Sequence, residues 1–141
     1  MNRPLAPARL LIAIVLFFNL QCAFAFLLWP QTYMPGFGLD GILGQQMVRA
    51  LGVLFLMWNI PYLFALAHPV RHFISLLEAV LMQAIAVLGD ALILLVAGPL
   101  PSQIQSTLQR FILFDGVGLL LLLIALVIAR QLSSSISTKP E

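Results

Sequence analysis

Residues 73–97 read FISLLEAVLMQAIAVLGDALILLVA, and this stretch decides the fold. It is long enough to cross a bilayer as a helix, which takes about 17–25 apolar residues. It shows no period-two alternation, so it does not read as a membrane strand. Yet it carries Glu78, Gln83 and Asp90. A carboxylate at the centre of a membrane helix costs about 2.5–3.5 kcal/mol even on the mildest insertion scales. Such groups have to be paired, neutralised or put to use. Asp115 poses the same problem in a later apolar run.

Three more runs of this kind lie at residues 10–29, 50–67 and 111–129. The breaks between them are marked by residues that stop helices. Pro30, Pro35, Gly36, Gly38, Gly41 and Gly44 make a first loop, and His68-Pro69 a tight turn. Gly98-Pro99-Leu100-Pro101 opens the third connection, and Ser102 with Gln105 has capping-box spacing, so the fourth helix is expected to begin near Gln103, before its apolar run. The chain of 141 residues is 62% hydrophobic and only 9% charged. Soluble domains carry about 25% charged residues, so most of this surface must face lipid.

The expected fold is therefore all-α: a four-helix antiparallel transmembrane bundle over residues 1–132, with a polar, frayed tail at 133–141. Arg3, Arg9, Arg71, Arg130 and Lys139 fall on one side of it, against Arg49 and Arg110 on the other. The positive-inside rule then places both termini in the cytoplasm. Trp29, Tyr33 and Phe37 would form an aromatic belt on the outer face. Ala23-Phe24-Ala25 resembles a signal-peptidase site. However, the apolar run continues to Trp29, which favours a retained span. Short tails and tight turns suit a bacterial cytoplasmic membrane. In length and span count the chain resembles small bacterial four-span families such as the DoxX-like proteins. That likeness contains no motif and implies no activity.

The polar residues fall into three layers. Asn19, Asn59 and Gln83 lie near the middle of their runs, where amides hydrogen-bond between helices or orient a ligand's head group. Asp90 and Asp115 lie in the outer half, with Arg49 and Arg110 at the outer mouths. The expectation is an ion-pair network across helices, with Arg49 on Asp90 or Asp115, and the alternative is a polar site open to the outer side. Arg110 and Asp115 differ by about 140° around one helix and are poor partners. Replacing Asp115 with Asn is then expected to destabilise the protein. Glu78 lies in the inner half near His68, Arg71 and His72. Pro69 separates the two histidines, so a metal site on one helical face is not expected.

Pro61 should kink the second span and open a cavity near Glu78. Trp58, Asn59, Tyr62, Glu78 and Gln83 would line it as a binding set. Of the carboxylates, Glu78 has the fewest candidate partners.

No nucleophile–base pair, phosphate loop, cysteine metal motif or haem attachment signal is present, and no cofactor is implied. Basic residues never cluster, so nucleic acid is not an expected partner. The lone Cys22 excludes an internal disulfide. Two functions remain. The first is a structural or accessory membrane subunit, not an enzyme, held in the lipid bilayer beside a membrane-protein partner or as a homo-oligomer. The second is a binding protein or enzyme for a small apolar ligand of the lipid or quinone type, acting through Glu78 and its polar neighbours.

Overall fold

The computed structural model describes residues 5–137, with side-chain surroundings up to residue 134. Arg3 and Lys139 lie outside the described residues. Four helices are long and apolar enough to cross a membrane. They are α1 (Ala6–Leu28), α3 (Gly41–Ala67), α4 (Phe73–Val96) and α5 (Ser102–Ser137), with a one-turn helix α2 (Pro30–Tyr33) after the first.

Each boundary has a local cause. α1 starts with Pro7 in its first turn, where a missing N–H costs nothing, and stops at Trp29 because Pro30 follows. The segment expected to be an open loop is folded. α2 runs into a 3-10 turn over Met34–Phe37, and Gly38 closes it at φ 68, a left-handed conformation that suits glycine. Between α3 and α4, the Arg71 backbone N–H donates to His68 Nδ1 at 3.1 Å. His68 thus serves as the acceptor that ties the turn. The Gln105 N–H donates to the Pro101 carbonyl at 3.1 Å, so Pro101 caps α5 and Ser102 is already helical.

Two helices are longer than the apolar runs that announced them. α3 begins at Gly41, so Arg49 lies two turns inside it and not at its mouth. α5 begins at Ser102 and continues to Ser137, so residues 133–137 are helical where a frayed tail was expected. Backbone hydrogen bonding continues as long as nothing interrupts it, and the polarity of a segment alone does not end a helix.

Packing pairs α1 with α3, α4 with α5, α1 with α5 and α3 with α4. One half of the protein is solid. Ala8, Ala65, Ala79, Ala125 and Ala129 are fully buried there beside Ile12, Leu76 and Leu122. Small side chains let helix backbones approach, which is how helices associate where there is no water to expel. Arg9 Nε donates to the Leu66 carbonyl at 3.0 Å, capping an unpaired carbonyl in the last turn of α3. Arg9→Met keeps the apolar stem and loses that bond. A modest loss of about 1 kcal/mol is expected, measured by thermal unfolding in detergent.

The other half is organised by aromatic rings. Phe26 on α1 touches Tyr33, Phe37, Phe55 and Phe111, with centroids 5.1 to 6.3 Å apart. Phe37 therefore belongs to this cluster and not to an outer belt, while Trp29 is 57% exposed.

Candidate functional site

Below the aromatic cluster all four long helices contribute polar side chains to one cavity of about 370 Å³. Asn19 comes from α1, Asn59 and Tyr62 from α3, Gln83 and Asp90 from α4, and Asp115 from α5. Phe55, Trp58 and Phe111 line the same space. Trp58 on α3 and Ile93 on α4 stand on its wall and are 47% and 46% exposed, so the wall there reaches the outer surface.

A directed chain of hydrogen bonds crosses this site. The Tyr62 hydroxyl donates to Gln83 Oε1 at 2.6 Å, and Gln83 Nε2 donates to Asp115 Oδ1 at 2.7 Å. Because Asp115 accepts, the amide of Gln83 can point only one way, and that in turn makes Tyr62 the donor. Asn19 stands beside the Tyr62 hydroxyl. Gly118 on α5 makes the approach possible, since a Cβ there would sit 2.7 Å from Gln83 Nε2.

Asn59 differs from the rest. It is only 1% exposed, and its Nδ2 donates to the Phe55 carbonyl one turn earlier at 2.6 Å. That bond identifies the nitrogen end of the amide. The other end, Oδ1, is buried with no hydrogen-bond partner. A buried acceptor left unmade costs about 1–3 kcal/mol.

The structure brings together Trp58, Asn59, Tyr62 and Gln83, as expected from the binding set, and adds Asn19 to them. It separates Glu78, which is exposed on α4 and does not line the cavity. The expected outer ion pairs do not form. Among the described residues, no ion pair joins Arg49 or Arg110 to Asp90 or Asp115, and neither arginine lines this cavity. Arg110 lines separate grooves, one with Thr32 and Ser106 and another with Ile14 and Phe18. Asp115 is not in a layer apart from the amides, because it bonds Gln83 directly. Its depth has to be measured from Ser102, where α5 starts, and not from the apolar onset at Phe111.

Phe55, Phe111 and Asp115 were not assigned to a ligand site from the sequence. The only signal was an aspartate and aromatics within apolar runs, which many packing roles share. Compared with models of protein families, with curated proteins and with solved structures, the chain matches none. The site is therefore read from its own chemistry.

Proposed function

We propose that the chain is an integral membrane protein of four antiparallel spans that binds a small amphipathic molecule in this central cavity. The observation that carries the reading is the Asn59 Oδ1 acceptor, buried and unpartnered on a protein wall that also holds two carboxylates. A helix bundle built only for rigidity gains nothing from such an atom, whereas a ligand donor would satisfy it. The cavity volume falls within the roughly 300–1,000 Å³ of small-molecule sites, and its lining of rings with a few convergent polar groups is their usual composition. The half-exposed wall at Trp58 and Ile93 supports entry from the bilayer.

Arg9, Arg71 and Arg130 outnumber Arg49 and Arg110, which supports both termini on the cytoplasmic side. The contact between Arg9 and Leu66 brings the start of α1 to the end of α3, in keeping with the antiparallel order. Short connections support a bacterial cytoplasmic membrane.

The test is Ala86→Phe. Ala86 is half-buried on the cavity wall and carries no polar group. A phenyl ring there fills the space and leaves the hydrogen-bond chain intact. Native mass spectrometry of the purified wild type is expected to show a co-purified amphiphile, and Ala86→Phe is expected to lose it while keeping its melting temperature within a few degrees. Equal ligand recovery from both proteins would overturn the reading.

A second reading, an accessory subunit, is favoured by the Tyr62–Gln83–Asp115 chain, which ties three helices together. A stable protein partner at fixed stoichiometry, with no small molecule in either variant, would support it.

A further inference from the structure

We infer that the ligand of this cavity is a protonated organic amine on an apolar body. This rests on the binding reading above and narrows its chemistry. The narrowing comes from the open acceptors, the carboxylates and the rings on its wall.

Three donors along the wall are engaged within the protein. The Tyr62 hydroxyl is given to Gln83, the Gln83 amide nitrogen to Asp115, and the Asn59 amide nitrogen to the Phe55 carbonyl. The acceptors are not. Asn59 Oδ1 has no partner, and Asp115 accepts through Oδ1 and presents a second oxygen. Asp90 lines the same wall from α4. A guest that brings N–H or O–H groups can satisfy these acceptors. A quinone brings only carbonyl acceptors, so it would leave Asn59 Oδ1 buried and unmade.

Charge selects further. Two carboxylates face one space, and no arginine, lysine or histidine shares it among the described residues. In an apolar surrounding such a pair calls for a counter-charge, and an ammonium supplies one together with up to three donors. The rest of the wall suits a cation as well. Phe55, Trp58 and Phe111 line the cavity together, with ring centroids of 5.6 Å for Phe55–Trp58 and 6.4 Å for Phe55–Phe111. A cation over such rings is attracted by their quadrupoles, most strongly when water is excluded. A neutral alcohol could satisfy Asn59 but would gain neither of the two charge effects.

The experiment compares 4-phenylbutylamine with 4-phenylbutan-1-ol, which share an apolar body. Binding is measured by calorimetry at neutral pH on the whole protein in an uncharged detergent. Ala86→Phe serves as the blank for partition into micelles. The wild type is expected to bind the amine at least tenfold more tightly than the alcohol. Asp115→Asn should remove most of that preference, because an asparagine carbonyl can still accept from Gln83 while the charge is gone. Asp90→Asn should weaken amine binding several-fold; this residue is half-buried and makes no hydrogen bond to another helix among those described, so its replacement spares the fold if Asp115→Asn does not. Equal binding of amine and alcohol would overturn the amine assignment and leave the binding reading standing. Amine affinity unchanged in both aspartate variants would overturn it as well. Binding of neither probe, with no co-purified amphiphile, would overturn both readings.

Discussion

Replacing Gln83 with Leu is expected to cost the protein about 1–3 kcal/mol of stability, the scale of leaving a buried acceptor without its donor. Gln83 is 3% exposed and is the middle link of the chain across α3, α4 and α5. Leucine fills much of the same volume, so the loss is chiefly electrostatic. Asp115, 7% exposed, would lose its amide donor with no arginine in reach to replace it. The Tyr62 hydroxyl would keep only the longer 3.3 Å contact to the Ala79 carbonyl. Stranding Asp115 and weakening the Tyr62 bond costs more than any one bond contributed, because both groups have already left water. Thermal unfolding in detergent measures it. The double variant Gln83→Leu with Asp115→Leu should recover part of the loss, since it removes the stranded charge together with its former donor. A single variant that melts like the wild type would show that the chain is not a structural link. The same geometry revises the expectation for Asp115→Asn. It keeps an acceptor for Gln83 and drops a charge with no cationic partner, so this variant should melt no lower than the wild type.

Gly52→Val is expected to be comparably damaging for a steric reason. Gly52 is buried where α3 crosses α1. A Cβ there would lie 2.9 Å from the Ala23 carbonyl oxygen and 2.9 Å from Leu27 Cγ, with the Leu27 backbone nitrogen at 3.2 Å. Two of these three neighbours are backbone, so no rotamer change relieves the clash and the helices must separate. Overpacking of this kind costs about 1–3 kcal/mol and sometimes more, and valine adds two methyls beyond the Cβ. Gly116 provides the control within the same fold. A Cβ there meets nothing within 4 Å. Gly116→Ala should be neutral or stabilising, by up to about 1 kcal/mol from helix propensity. Melting temperatures of the two variants, side by side, check the assignment. Equal behaviour would refute the close α1–α3 seam.

Much of the frame could be read from local chemistry. Pro30 ends α1, His68-Pro69 turns the chain, and Pro101 caps α5, because each constrains its own backbone whatever surrounds it. Helix ends set by composition were less legible. Residues 41–49 precede the apolar run and read as part of the first loop, yet they contain no proline and simply join α3, whereas the start of α5 was legible from the Ser102–Gln105 spacing. That shift in starting point moved Arg49 to a different depth from the one its apolar neighbours suggested.

The binding set was half legible for a related reason. Asn59, Tyr62 and Gln83 stood out because an uncharged polar group deep in an apolar run has to find a partner within the protein. Glu78 stood out on the same ground and yet lies exposed on the outer face of α4. Spacing along one helix says which residues share a face, but it does not say which face meets another helix.

The amino-acid sequence by itself determined that this protein has four long apolar helices, where three of their boundaries fall, and that a few polar groups must be accommodated inside. Those outcomes depend on transfer energies and backbone constraints that act residue by residue. Only the tertiary structure decided that Asp115 answers to Gln83 and not to an arginine, that Phe55 and Phe111 wall the cavity, and that Asn59 keeps a free acceptor. These depend on the rotation and axial offset of each helix against its neighbours. In a membrane that choice is governed by close packing at residues such as Gly52 and Gly118, since burying apolar surface favours no one face over another.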